Sequence, residues 1–303
     1  MRKFLKNNLM IIIIILVILG IFVYNFVDFK NNQKLLAEGK EETIAYCESL
    51  LSDPDANPEL IESCENVIAQ KDVELDFFSA LSDFVVYRLS FLNPIAFLIV
   101  VLPSLYYSCK IIKNKLIINA KTRMNYLDFI KMLIKSAYRY IWILPLLTLI
   151  LFIFLLFNTS LDSTYSLLND TAIWGTYILN HPIVFIILYF INIILYSCAF
   201  VNLGLIVARK QPKYILTIIF SFLSYIGIEL FLELVVNVII FQNIFDSEIG
   251  YLFNIMNMFT FKDTFGIEKL MIFTVGIFVV SCIGVYASYK NQEKFIIDCE
   301  KNN

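Results

Sequence analysis

Histidine and nucleotide-binding motifs are scarce or missing in this 303-residue chain, and each shortage excludes a class of function. The sequence contains one histidine, His181, so a histidine-based metal centre, a membrane zinc protease or a serine–histidine pair would depend on it nearly alone. No Gly-x-x-x-x-Gly-Lys-Ser/Thr segment occurs, so the chain has no P-loop for ATP. These shortages predict a protein that is not an enzyme and that holds neither a metal nor a cofactor of its own.

Charge is also in short supply. Charged residues make up 17% of the chain and hydrophobic residues 59%, which is too much apolar surface for one soluble core of this size. The net charge of −2 gives no reason to expect a nucleic-acid partner. The composition therefore predicts an all-α integral membrane protein whose excess apolar surface is covered by lipid.

Six apolar segments are long enough to cross a hydrocarbon core of about 30 Å, which takes about 20 helical residues. They are Leu9–Val27, Leu89–Cys109, Tyr140–Phe157, Ile183–Ala208, Tyr214–Phe241 and Leu270–Tyr289. The first is interpreted as an uncleaved anchor, because no small-residue cleavage site follows it. Residues 249–261 are uncharged but too short to span, so they either lie at the interface or re-enter the membrane.

Basic residues predict the orientation. A cytoplasmic N-terminus places 17 of the 24 Lys and Arg on the inner side, and the positive-inside rule is then met at every turn. Both termini are therefore expected in the cytoplasm, and the protein in the cell membrane. The predicted organisation begins with the N-terminus and first span (1–27), an outer helical domain (28–88) and a second span (89–109). An inner elbow (110–139), a bundle of four spans (140–289) and a tail (290–303) follow.

The outer domain is predicted to be helical from the spacing of its apolar residues. These are Leu35, Leu36, Ile44, Leu50, Leu51, Leu60, Ile61, Val67 and Ile68. Cys47 and Cys64 lie on either side of a turn signal at residues 52–58, so an antiparallel hairpin would bring them close enough for a disulfide. Two reduced cysteines in a small core are the alternative.

The fifth span carries carboxylates where the other spans carry no charge. Glu229 and Glu233 stand one helical turn apart, and Ser221, Tyr225 and Asn237 extend the same line into a polar stripe. A carboxylate inside a bilayer is costly unless it is paired, protonated or hydrated. The stripe is thus either part of a transport path or a helix–helix contact, and both carboxylates could also be protonated.

The inner loop after the second span contains a basic amphipathic helix. Residues 125–128 resemble a capping box that opens it, and apolar residues are expected to share one side. The expected apolar positions are Leu127, Ile130, Leu133 and Ile134, and the basic ones are Lys131, Lys135 and Arg139. The helix either lies on anionic lipid headgroups or docks a cytoplasmic protein.

The order of these segments resembles the membrane subunit of ABC-2-type ABC transporters. The elbow that carries the resemblance reads Lys121-Thr-Arg-Met-Asn-Tyr-Leu-Asp-Phe-Ile-Lys-Met-Leu-Ile-Lys135 and leads into the third span. The resemblance implies a non-catalytic permease that forms a homodimer or heterodimer with a second permease chain, while ATP and Mg²⁺ bind a separate ATPase subunit. It implies that residues 116–135 contact that ATPase, with candidate coupling residues Met124, Tyr126, Phe129, Lys131 and Lys135.

Two other functions stay open at this stage. One is a non-transporting membrane protein, such as an immunity or ligand-sensing protein whose outer domain binds a ligand. The other is a secondary transporter driven through Glu229 and Glu233. For a permease, the expected cargo includes peptides, drugs, lipids or cell-surface polymers.

Overall fold

A computed structural model describes most of the chain, as residues 2–52, 58–69, 71, 74–90, 92–113, 125–169, 173–247, 260–261 and 266–301. Side chains are not described for residues 2–15 or for ten further helical positions, namely 58, 59, 62, 66, 69, 168, 169 and 299–301. Met124 and most of the predicted turn at residues 52–58 lie outside the described residues. Most of segment 249–261 also lies outside them.

The described residues are helical and contain no β-strand. The described residues form twelve α-helices and two π-helical segments, Phe84–Arg88 and Phe231–Ile244. The α-helices are α1 (Arg2–Leu51), α2 (Pro58–Ala69), α3 (Phe77–Asp83), α4 (Leu92–Lys113), α5 (Tyr126–Tyr138), α6 (Ile143–Asn158), α7 (Thr164–Asn169), α8 (Thr176–Leu179), α9 (Pro182–Lys210), α10 (Tyr214–Leu230), α11 (Ile267–Tyr289) and α12 (Gln292–Lys301).

Among the described residues, five helical stretches are long and apolar enough to cross a membrane. They are Leu92–Lys113, Tyr126–Asn158, Pro182–Lys210, Tyr214–Ile244 and Ile267–Tyr289. Each overlaps one of the predicted spans two to six, and Tyr126–Asn158 also includes the helix of the predicted elbow. The predicted first span lies within α1, and its side chains before residue 16 are outside the described part of the chain.

The helix α1 is 50 residues long and joins the predicted first span to the outer domain without a break. At 1.5 Å per residue it is about 75 Å long, more than twice what a bilayer core requires. No proline occurs between residues 2 and 51, so nothing in the sequence stops the helix at the predicted membrane boundary.

The chain divides into two compact units. The first comprises Met1–Leu81 and Ile153–Ala172, and the second comprises Ser82–Phe152 and Ile173–Asn303. In the first unit, the Phe26 ring stacks on that of Phe154 with a centroid distance of 3.8 Å, so α1 packs on the end of α6. These two units are defined by contacts within the chain, whereas the predicted domain boundaries were placed where the chain is expected to enter or leave the membrane. The predicted boundaries therefore stay a prediction.

The second unit is organised around α9, which contacts α4, α5, α10, α11 and α12. Two glycines allow close approach. A Cβ added at Gly204 of α9 would lie 2.6 Å from Leu105 Cδ1 of α4, and one added at Gly284 of α11 would lie 2.8 Å from Ile206 Cδ1 of α9. Helices packed in membranes use small residues in this way, because van der Waals contact replaces the hydrophobic effect between them.

The outer domain was predicted to be helical, and α1 and α2 confirm helix there. Of the nine apolar residues whose spacing predicted helix, Ile44 is buried, whereas Leu35 and Leu36 are mostly exposed.

Candidate functional site

The polar stripe of the fifth span lies on the inward side of α10. Ser221, Tyr225 and Glu229 are buried at four-residue spacing, as is Asn237 farther along. Glu233 is only partly exposed. A carboxylate placed inward in this way is sheltered from the lipid that the predicted membrane location implies.

The helix changes type immediately after Glu229. From Phe231 to Ile244 it is π-helical, with hydrogen bonds that reach five residues along the chain. The Asn237 side-chain amide donates to Glu233 Oε1 at 3.2 Å, and the Gln242 amide donates to Asn237 Oδ1 at 3.4 Å. π-Helical segments are rare, are usually a single turn and often occur at functional sites. Fourteen π-helical residues beside a buried carboxylate therefore indicate a candidate functional site.

Glu229 faces tyrosines from two helices. Its carboxyl group interacts electrostatically with the hydroxyls of Tyr196 on α9 and Tyr225 on α10. A further contact joins α11 to α9, because the Thr274 hydroxyl donates to Asn192 Oδ1 at 2.8 Å. All five residues are buried, and they come from the three apolar helices α9, α10 and α11.

A second polar contact joins the same helices farther along. The Tyr138 hydroxyl at the end of α5 donates to Asn202 Oδ1 at 2.6 Å, and the Asn202 amide donates to Ser281 Oγ of α11 at 2.9 Å. Asn202 is buried. This contact ties the inner elbow directly to the bundle, which the sequence did not indicate.

Some buried hydroxyls within the second unit have no hydrogen-bond partner among the described residues. They belong to Ser104 of α4 and to Ser221 and Tyr225 of α10. A buried hydroxyl without a partner costs about 1–3 kcal/mol. Some polar groups of the stripe are therefore hydrogen-bonded and others are not. Polar groups without a protein partner are candidates to bind water or a ligand.

The helix of the predicted elbow, α5, begins directly after Asn125, as the sequence predicted. Asn125 has extended backbone angles, and its carbonyl accepts the Asp128 and Phe129 amides at 3.1 Å each. Its side chain makes no capping hydrogen bond, so the predicted capping box does not form. The helix therefore begins with backbone hydrogen bonds to the Asn125 carbonyl and without a side-chain cap.

The buried side of α5 differs from the predicted one. Phe129, Leu133 and Ala137 are fully buried, whereas Leu127 is 70% exposed. Leu127 is not part of the buried side, because it lies two residues, or about 200° of helical rotation, from Phe129. The four-residue line from Phe129 sets the buried face instead.

Aromatic side chains fasten α5 to the C-terminal helix α12. Phe295 is fully buried, and its ring centroid lies 6.2 Å from that of Tyr126, 6.2 Å from that of Phe129 and 5.4 Å from that of Tyr289. The Tyr126 hydroxyl donates to the Tyr289 carbonyl. Burying a Phe side chain contributes about 1.5–3 kcal/mol, so Phe295 is a principal anchor of α12.

The exposed side of α5 mixes apolar and charged groups. Leu127, Met132 and Lys131 are exposed there, and Lys131 Nζ lies 3.8 Å from Asp128 Oδ1. Lys135 is also exposed. Of the five candidate coupling residues, Met124 is outside the described residues and Tyr126 and Phe129 pack inside the chain. Lys131 and Lys135 alone are open to a partner, and the coupling role itself stays a prediction.

The structure pairs Cys47 with Cys64, as the sequence predicted. Their Cα atoms are 5.0 Å apart, and both residues are buried between α1 and α2. The disulfide closes the outer hairpin, which has few other buried side chains.

A buried aspartate not singled out from the sequence fastens two segments of the first unit. Asp76 accepts the amide of Ser79 at 2.8 Å, the third residue of α3, and the amide of Ser166 at 2.7 Å, the third residue of α7. The Ser166 hydroxyl also donates to it at 2.6 Å. One carboxylate thus caps two helices, and Ser166 in the second lies 90 residues after Asp76 in sequence. The segment Asp76-Phe-Phe-Ser79, with an aspartate three residues before a serine, could have indicated the cap of α3.

Comparisons with known proteins identify no family for this chain: no family model, no curated protein and no solved structure matches it. The features of this chain that bear on its function are the two polar clusters, the elbow and the disulfide-linked hairpin.

Proposed function

We propose that the chain is the non-catalytic permease subunit of an ABC transporter, in which a separate ATPase subunit drives a substrate across the cell membrane. The observation that carries the proposal is α5. This helix packs on α4, α9 and α12, is bonded to the bundle through Tyr138 and Asn202, and keeps one side exposed. A helix held in this way would transmit a push from a partner directly into the spans. The partner would bind ATP and Mg²⁺, and two permease chains, identical or different, would complete the pore.

The proposal includes six spans with both termini in the cytoplasm and residues 28–88 outside. It is supported by the five apolar helical stretches and by the 17 of 24 basic residues that this topology places inside. Single cysteines introduced after residues 60, 170 and 250 should react with an impermeant maleimide from outside, and those after 120, 211 and 298 from inside. Cytoplasmic labelling at position 60 would overturn the orientation.

Elbow variants test the coupling role. Replacing Phe129 would open a cavity inside the chain, so the exposed side gives the cleaner test. If α5 docks a protein, changing Leu127 and Met132 to Ser should weaken ATPase association most, because apolar anchors dominate protein interfaces. If α5 lies on lipid, reversing Lys131 and Lys135 to Glu should do more harm, since each basic residue near an anionic surface contributes about 1 kcal/mol.

For both pairs of variants, the amount of ATPase that co-purifies with the chain is measured. Leu146→Ser, on the exposed side of α6, is the control. A larger loss from the lysine pair than from the apolar pair would favour the lipid surface and contradict the coupling role.

A second candidate function is ion-coupled transport through Glu229. It is favoured by the burial of this carboxyl beside Tyr196 and Tyr225 and by the π-helix that follows it. Glu229→Gln keeps the shape and hydrogen bonding of a protonated carboxyl, so expression and thermal stability should stay the same. An infrared carboxyl band that responds to a pH step should disappear in this variant and persist in Glu268→Gln, whose side chain is exposed. An unchanged spectrum would argue for a purely structural contact.

A further inference from the structure

The polar stripe of α10 extends one step closer to the start of the helix than Ser221. Thr217, Ser221, Tyr225 and Glu229 follow one another at four-residue spacing, and all four are buried. Twelve residues of α-helix rise about 18 Å, which is more than half of a bilayer core. Three hydroxyl groups and one carboxyl group therefore form a buried line, which winds around the helix by about 40° at each step.

The first hydroxyl of the line lies beside an exposed residue. Thr217 Oγ1 donates to the Lys213 carbonyl at 3.1 Å and also to the Gln211 carbonyl. Lys213 is exposed. The line therefore begins next to a charged, accessible end of α10, on the side that the proposed topology places in the cytoplasm.

The next two hydroxyls, of Ser221 and Tyr225, have no hydrogen-bond partner among the described residues. A buried serine inside a helix can donate to the carbonyl four residues earlier, as Ser197 donates to the Ile193 carbonyl at 2.8 Å. Ser221 makes no such bond, although it is as deeply buried as Ser197. Water bound along the line would satisfy both hydroxyls, because water in a protein interior bonds to polar groups that lack a protein partner.

Glu229 ends the line. Helical side chains tilt toward the N-terminus, so each group leans toward the one before it, and the Glu229 carboxyl interacts electrostatically with the Tyr225 hydroxyl. Of the described titratable groups, α9 also contributes Tyr196, and Glu233 follows in the π-helical segment. The α4 ring that packs on Tyr225 is the uncharged Phe97. Since Glu229 is buried, a proton reaches it only through the interior of the protein.

The polar groups beyond Glu229 are of a different kind. The Asn237 amide donates to Glu233 Oε1, and the Gln242 amide donates to Asn237 Oδ1. A hydroxyl or a water both donates and accepts hydrogen bonds, so it can accept one proton while it releases another. An amide nitrogen only donates and an amide oxygen only accepts. The hydroxyl side of Glu229 is therefore the side suited to conduct a proton.

We propose that Thr217, Ser221 and Tyr225, with water bound between them, form a proton path from the inner end of α10 to Glu229. A proton from bulk water enters near Thr217. Each hydroxyl or water on the way accepts one proton and releases another, so the hydroxyls end unchanged and the Glu229 carboxylate becomes a carboxylic acid. The inference rests on the second candidate function, ion-coupled transport through Glu229, and it names the ion, the route and the side of entry.

Time-resolved infrared spectroscopy of the full-length chain in detergent tests the path. After light releases protons from a caged compound, the carboxyl band of Glu229 should grow, and this band is identified by its loss in Glu229→Gln. Ser221→Ala and Tyr225→Phe should slow its growth at least about tenfold, because each removes one hydrogen-bonded step of the path. The final size of the band in acid should stay the same, since both variants keep the carboxyl group.

Ser224→Ala is the matched control, because Ser224 lies off the line on the same helix and is partly exposed. It should change neither the rate nor the final size of the band. If the wild-type band responds and the three variants respond equally fast, the path is wrong and proton uptake by Glu229 stands. If the wild type shows no Glu229 band, the second candidate function fails and the path fails with it.

Thermal midpoints in detergent test the hydration of the path separately. If the two hydroxyls are dry, Ser221→Ala and Tyr225→Phe each remove an uncompensated buried polar group and should raise the midpoint. If the hydroxyls bind water, as we expect, the midpoint should stay equal or fall. Tyr225→Phe keeps the ring that stacks on Phe97 at a centroid distance of 4.9 Å, so it leaves the packing in place. A raised midpoint in either variant would overturn the proposal.

Discussion

Replacing Asp76 should release the outer segment around α7 from the rest of the first unit. The side chain is fully buried and accepts three hydrogen bonds, from the Ser79 amide and from the amide and hydroxyl of Ser166. Asp76→Ala removes all three acceptor contacts at once. Both backbone amides then remain in the interior without their caps.

The expected cost follows from those three bonds. Loss of an N-cap side chain typically costs about 1 kcal/mol, and here one residue caps two helices. The Ser166 hydroxyl loses a bond to a carboxylate, which contributes about 1.5–3 kcal/mol. Together these give roughly 3.5–5 kcal/mol, or well over about 100-fold in a local opening equilibrium.

Hydrogen exchange at the Ser166 amide is the assay. It should be more than about 100-fold faster in Asp76→Ala, and about tenfold faster in Asp76→Asn, because asparagine keeps one acceptor oxygen and can still cap one helix. Asp162→Ala, an exposed aspartate in the same segment, is the control and should exchange like the wild type. Equal exchange in Asp76→Ala and the wild type would refute the argument.

Three further predictions concern stability. Cys64→Ser should destabilise the outer hairpin by about 3 kcal/mol in the chain-entropy account, and non-reduced peptide mapping that finds two free thiols in the wild type would contradict the pairing. Gly204→Val should lower the thermal midpoint in detergent, since its Cβ would meet α4. Gly276→Val, which has open space around its Cβ, should leave the midpoint unchanged, and equal midpoints for the two variants would contradict the packing of α9 on α4. Asn202→Leu should cost about 1 kcal/mol by breaking the contact with α5 and α11, and an unchanged midpoint would show that this contact is not stabilising.

The five long apolar helices could be predicted because each is a long run with little or no charge bounded by polar residues, and such a run has few folded alternatives. The start of α5 at Asn125 was predicted for the same local reason. Its buried face was not, because Leu127 and Phe129 are both apolar and only contacts with distant residues such as Phe295 decide which one is covered.

Long-range contacts account for the other differences. Asp76 joins residues 90 positions apart, and no local pattern near Asp76 points to Ser166. The π-helix from Phe231 to Ile244 has the composition of an ordinary apolar helix, so its hydrogen-bond pattern depends on packing rather than on local preference. The stripe of Ser221, Tyr225 and Glu229 was predictable because four-residue spacing alone aligns it.

Identification of the protein that co-elutes with the full-length chain tests the central proposal most directly. The chain should be purified from its native cell membrane in mild detergent and its partner identified by mass spectrometry. A soluble subunit carrying a P-loop should be present in fixed ratio and should hydrolyse ATP, because this chain has no such motif. If the chain elutes without any ATP-binding protein, under conditions in which α12 and the elbow remain folded, the permease function is contradicted.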